Sequence, residues 1–143
     1  MRLRTASQAF SLAKDLEEEA AAFYDQLGGW FPEHAEAFGG FAAENRRFRQ
    51  QVERAYYGVI TDAIEGGFAF DMETDGFALD TSKPADLDAA LDRAKDMEAK
   101  IIRFYTEAAE QSRTLMADLP RAFDQVVKRR NRRRIPALEE LSG

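Results

Sequence analysis

Cysteine is absent from this chain of 143 residues, histidine occurs once, at His34, and proline four times. Without thiolates there is no disulfide, thiolate metal site, iron–sulfur cluster or rubredoxin-type iron site. Any metal must then be held by oxygen and nitrogen ligands, with one imidazole at most. No run of about 18 apolar residues offers a membrane span, and no basic-then-apolar leader opens the chain, so it reads as cytoplasmic and without a membrane partner. Nucleophile elbow, phosphate-binding glycine loop and zinc-type histidine pair are also missing, which leaves those kinds of catalysis without support. A net charge of -6 disfavours nucleic acid as the default partner, because phosphate contacts supply most of that affinity.

What the chain does have is a hydrophobic content of 45% and a charged content of 32%, enough for one domain with a core spanning residues 1–143. Two stretches, LEEEAAAFYDQL from Leu16 and MEAKIIRFYTEA from Met97, read as one helix written twice. Laid over each other they match Leu16 with Met97, Glu17 with Glu98, Ala20 with Ile101, Phe23 with Phe104 and Tyr24 with Tyr105. A weaker echo follows each, NRRF at 45–48 and NRRR at 131–134. The chain therefore reads as a helix pair over 5–57, a crossover over 58–84 and a second helix pair over 86–141.

Thr5 and Gln8 have capping-box spacing, which starts the first helix, and Gly28-Gly29 predicts a left-handed stop. Leu12, Ala13, Leu16, Ala20, Phe23 and Leu27 recur at three and four residues and mark one buried stripe. The second helix is expected over 33–57, with Gly39 and Gly40 marking either a fray point or a close helix contact. In the crossover, Phe68, Phe70, Met72, Phe77 and Leu79 are too apolar for a free linker. The segment either lies along the bundle or covers a partner subunit, and the alternation around Asp75-Gly76 also suits a short hairpin. A homodimer follows as an expectation, since a monomer would otherwise expose those phenylalanines. Asp86 is the expected cap of the third helix. The fourth runs from about Leu119 to Leu141, kinked or ended by Pro136. Four such helices with one long connection give an all-α four-helix bundle.

A glutamate six residues before Phe-Tyr, in both halves of a duplicated helix pair, resembles the rubrerythrin branch of the ferritin-like superfamily over nearly the whole chain. The resemblance implies a bundle in which two facing helices each supply one glutamate and the other two each supply Glu-x-x-His, with two irons between them. Here Glu17 and Glu98 match the single-glutamate positions. Where the resemblance places the Glu-x-x-His motifs, the chain has Asn45 with Phe48 and Asn131 with Arg134, so amides replace carboxylates and a ring and a guanidinium replace imidazoles. A one-residue slip makes Glu44 the inward residue instead. No slip supplies a histidine, since His34 lies about 16 Å before Asn45 along a helix axis.

The periodicity places Glu17 between Ala13, Ala20 and Tyr24 on the inner edge of its helix, so its carboxylate needs compensation. Arg134 shares a stripe with Leu138 and reaches the same space, which points to Glu–Arg and Glu–Asn hydrogen bonds where iron would sit. Tyr24 and Tyr105 are placed to donate their hydroxyls to that network. The run KRRNRRR over 128–134 is expected to be neutralised by Asp88, Asp92 and Asp96 and by Asp71, Glu73, Asp75 and Asp80, within the bundle or across a dimer. The reading that results is a ferritin-like protein that has lost its di-iron centre and its cofactor. It acts as a homodimer or as an accessory to another protein. The alternative is a non-heme iron oxidoreductase or storage protein that holds iron or manganese with Glu17, Glu98 and Glu44.

Overall fold

A computed structural model describes residues 1–59, 70–113 and 119–142 of the chain. Helix α1 (Ala6–Trp30) starts where Thr5 can close a capping box. Thr5 Oγ1 accepts from the Gln8 N–H at 3.1 Å, and Gln8 Oε1 accepts from the N–H groups of Arg4 and Thr5 at 2.7 and 3.1 Å. The Gly28-Gly29 pair does not stop the helix as the sequence predicted. The helix runs on to Trp30, and a Cβ on Gly28 would meet Ala35 at an ordinary contact distance of 3.6 Å. The reversal is made by Phe31, whose N–H bonds the Leu27 carbonyl at 2.8 Å, and by a single 3₁₀ turn at Pro32–His34. His34 sits at the end of that turn, half-buried, with its ring edge-on to Phe38.

Helix α2 (Ala35–Val59) buries Phe38, Ala42, Asn45, Phe48, Val52 and Tyr56 on one side. Gly39 and Gly40 are helical and exposed, with nothing near their missing side chains, so the expected fray point or close helix contact at this pair is not seen. Phe68 falls outside the described residues. From Phe70 onward the crossover is ordered by the amino terminus: strand β1 (Arg2–Leu3) pairs antiparallel with β2 (Met72–Glu73), Arg2 opposite Glu73 and Leu3 opposite Met72. The Phe70 and Thr74 N–H groups extend the ladder to the Arg4 and Met1 carbonyls, each at 3.0 Å. A 3₁₀ turn at Asp75–Phe77 replaces the hairpin considered for Asp75-Gly76. The strand before it finds its partner at the start of the chain instead.

This ribbon lies on its own bundle. Phe70, Met72 and Phe77 are buried, Leu79 is half-buried, and the Phe77 ring stands edge-on to Phe104 with centroids 5.5 Å apart. Arg103 and Lys100 hold the segment by donating to the Gly76 and Ala78 carbonyls at 2.6 and 3.0 Å. Among the described residues, the exposed phenylalanine stripe that led to the dimer expectation is therefore absent.

Helix α3 (Leu87–Ser112) begins at Asp86, whose Oδ1 accepts the Ala89 N–H at 2.9 Å. Its inward stripe is Leu91, Ala94, Met97, Glu98, Ile101, Phe104, Tyr105 and Ala108. The last column is α4 (Leu119–Arg129), a five-residue π-helical turn at Arg130–Arg134 and α5 (Ile135–Leu141), following one another without a break. Pro136 explains the wide turn. It has no N–H to give the carbonyl four residues back and its ring crowds that carbonyl. The helix absorbs the misfit one step earlier, where the Ile135 N–H reaches back five residues to the Arg130 carbonyl.

The described chain is thus all-α apart from one two-stranded ribbon. α1 packs along α2 and α3 along α4, and the pairs meet where α1 touches α3 and α2 touches α4. Because Phe77 packs on Phe104 of the same chain, Phe77→Ala should cost about 3 kcal/mol in chemical denaturation, independent of protein concentration. A cost that grows on dilution would mean the ribbon is covered by a second subunit.

Candidate functional site

The four packed helices enclose a cluster of charge. Glu17, Glu98, Asn45 and Arg130 are fully buried and Arg134 is 1% exposed. Glu17 and Tyr24 come from α1, Glu98 and Tyr105 from α3, Glu44, Asn45 and Phe48 from α2, and both arginines from the π-helical turn. In a turn wider than an α-helical one, Arg130 and Arg134 both face inward, while Asn131 between them is exposed.

Arg130 is the centre. Its Nη1 and Nη2 grip Glu17 as a fork, at 2.7 Å to Oε2 and 2.5 Å to Oε1, and its Nε donates to Glu98 Oε2 at 2.6 Å. Arg134 takes the other side, with Nη1 on Glu98 Oε1 at 2.6 Å and Nη2 on Asn45 Oδ1 at 2.6 Å. The same Nη2 also reaches Glu44 Oε1 and the Phe41 carbonyl, each at 3.1 Å. The tyrosines cross between helices: Tyr24 of α1 donates to Glu98 at 2.7 Å, and Tyr105 of α3 donates to Glu17 at 2.8 Å. Rings cover the guanidinium faces. The Arg130 guanidinium carbon lies 4.7 Å from the Phe48 centroid and 5.8 Å from that of Tyr105, and that of Arg134 lies 4.8 Å from Phe41 and 5.1 Å from Tyr24.

Inside the cluster two anions face two cations. At its edge Glu44, with its side chain 12% exposed, adds an anion that Arg129 meets at 2.8 Å. Burial pushes the Glu98 carboxyl up, but Arg130 and Arg134 outweigh that and, with the Tyr24 hydroxyl, hold it below the usual glutamate range. Glu44 is likewise lowered: burial opposes, and the hydrogen bond from Arg129 and the charge of Arg134 prevail. For Arg130, desolvation is overcome by Glu17 and Glu98, and its pKa rises well above the ordinary arginine value. Burial and the adjacent carboxylates raise Tyr24 and Tyr105 far above the ordinary phenol range, so both stay protonated donors. Inside the cluster the two carboxylates and the two guanidinium groups are matched in charge.

The structure brings together Glu17, Glu98, Glu44, Asn45, Phe48 and Arg134, and leaves Asn131 out. Arg130, the residue with most contacts to the carboxylates, was missed because the NRRR echo was read in α-helical phase. Pro136 was the available signal for a change of phase. Within the chain, among the described residues, the basic run does not meet the α3 and crossover acids expected for it. Arg129, Arg130 and Arg134 bond Glu44, Glu17 and Glu98. Asp71 instead meets Arg2, Glu73 and Asp75 meet the Met1 ammonium, Asp80 meets Arg93 and Asp96 meets Lys100.

No family model matches the chain, and neither a curated protein nor a solved structure does. The residues themselves test whether the iron pair of the resembled family fits. Each oxygen of Glu17 and Glu98 already accepts a guanidinium N–H, one cation links the two carboxylates, and no group of three or more potential ligands for a metal occurs among the described residues. Two further cations do not fit beside two permanent ones.

Two outcomes follow. Arg130→Ala strands Glu17, whose one cation it is, and leaves Glu98 to Arg134 alone, so it should cost about 3–5 kcal/mol of stability, more than Arg134→Ala, which leaves the Arg130 fork in place. Because the folded-state pKa of Glu98 is depressed, its contribution is fully present above the usual glutamate range and is lost as pH falls from that range through the lower folded-state value. Urea midpoints should drop below about pH 4, and less steeply in Glu98→Gln. Equal midpoints for the two arginine variants would mean that Arg130 is not the central cation.

Proposed function

We propose that this chain is a rubrerythrin-like member of the ferritin-like superfamily whose di-iron centre has been exchanged for a guanidinium pair. It works through its surface, as a non-catalytic accessory to another protein or as a homodimer. The observation that carries this reading is Arg130, fully buried and bonded at once to Glu17 and Glu98, the two glutamates that the resemblance to rubrerythrins implies as metal ligands.

Physical chemistry favours the exchange as a stable end state. A di-iron site needs several anionic ligands and imidazoles to offset its charge. Two carboxylates, two guanidinium groups and two neutral hydroxyls already reach charge balance here, with geometry fixed by forked hydrogen bonds. With both anions saturated, no group in the cluster is left to act as base or nucleophile. What remains for selection to act on is the outside of the bundle.

The test is metal. Protein purified without chelator should carry iron and manganese well below one equivalent per chain, and neither ion nor chelator should move its melting temperature. In Arg130→Ala/Arg134→His, which frees the carboxylates and supplies one imidazole, ferrous or manganous ion should instead raise the melting temperature. Two equivalents of iron in the native protein, with stability lost on chelation, would overturn the reading in favour of an active di-iron protein.

A further inference from the structure

The basic run is only partly consumed by the core. Arg129, Arg130 and Arg134 are committed to carboxylates, whereas Lys128, Arg132 and Arg133 are exposed and have no ion-pair partner among the described residues. Arg121, also exposed and unpaired among the described residues, lies on the same helix. Two shallow cavities run side by side along this face, one of about 370 Å3 and one of about 260 Å3, and they share Gln125 and Lys128. Arg121 lines the first, and Arg132 and Arg133 line the second.

The placement is unfavourable on its own. Lys128 with Arg132 and Arg129 with Arg133 are like-charge pairs four residues apart, in a chain whose net charge is -6. An overall acidic protein has thus gathered cations along one helical column, the one carboxylate lining the two cavities being Asp124, which Arg113 already meets at 3.1 Å, and the groove there is long enough for another element to lie in it. From Arg121 to Arg132 the face spans about 16 Å, or about three helical turns.

We infer that this face of α4 and the π-helical turn is a docking site for an acidic helical segment of a partner protein, its carboxylates meeting Arg121, Lys128, Arg132 and Arg133. This deepens the proposed accessory role and rests on it, but it does not depend on the state of the core. Guanidinium forks suit carboxylates and phosphates alike. Carboxylates are favoured over nucleic acid because neither cavity is lined by an aromatic ring on which a base could stack.

Binding of labelled peptides by fluorescence anisotropy at about 50 mM salt decides the matter. One peptide is a helix with glutamates four, three and four residues apart along one face. The second has the same composition with the glutamates spread around the helix. The first should bind more tightly. Lys128→Glu/Arg132→Glu should weaken it about tenfold, while Arg47→Glu/Arg54→Glu on α2, with the same change in net charge, should leave it within about twofold. Equal losses in both variants, equal binding of both peptides, or no binding at all would overturn the inference. So would tighter binding of single-stranded or duplex DNA than of peptide, which would make phosphate the ligand. Self-association abolished by the α4 variant would instead identify a second copy as the occupant. Metal content reads the core separately, so a failure here and a failure of the metal-free reading are distinguishable.

Discussion

The Arg130 guanidinium between Glu17 and Glu98 is the interaction on which the arrangement of this bundle depends. Two carboxylates facing each other in an apolar interior repel each other and have lost their hydration. One forked cation bonded to both turns that liability into a cross-brace between α1, α3 and the final helix. The crossed tyrosines repeat the constraint in neutral form, since each hydroxyl donates to the glutamate of the other helix. Apolar burial supplies most of the driving force, as in any domain of this size, but it is tolerant of small slips. The charged set is not tolerant, because a shift of one residue in any of the three elements leaves a buried charge unpaired.

The same logic explains why a helix would accept five residues of π-helical turn. An α-helical Arg130–Arg134 stretch would pay no geometric penalty but would carry the phase of α4 unchanged toward Pro136. The wider turn absorbs the proline and keeps Val126, Arg130, Arg134 and Leu138, four residues apart, on the buried side. Local backbone chemistry and the demands of the core thus agree at one point in the chain, which is the consistency expected of a foldable sequence.

Much of this was legible in the residues. The period of α1 and α3 placed Glu17 and Glu98 inward, the Thr5 and Asp86 caps fixed two helix starts, and Arg134 was assigned to the carboxylates through its stripe with Leu138. What was not legible has two physical sources. One is phase: a π-helical turn moves Arg130 in and Asn131 out, and periodicity arguments assume a constant angle per residue. The other is distance along the chain. The partner of Met72–Glu73 is Arg2–Leu3, and nothing local to the crossover reports a strand supplied by the opposite end. Gly28 failed as a stop signal because its backbone is not left-handed and the helix continues through it to Trp30.

Both central cations belong to the last helical column, whereas both central anions are made in the first and third helices. During synthesis, a nascent chain that has α1, α2 and α3 but not residues 130–134 holds two inward carboxylates with no counter-charge, and closing its interior around them is opposed by several kcal/mol per ion. The interior therefore cannot lock until the arginines emerge. Vectorial folding is deferred, and the order in which the ribosome delivers the chain becomes a checkpoint on whether residues 130–134 have been made.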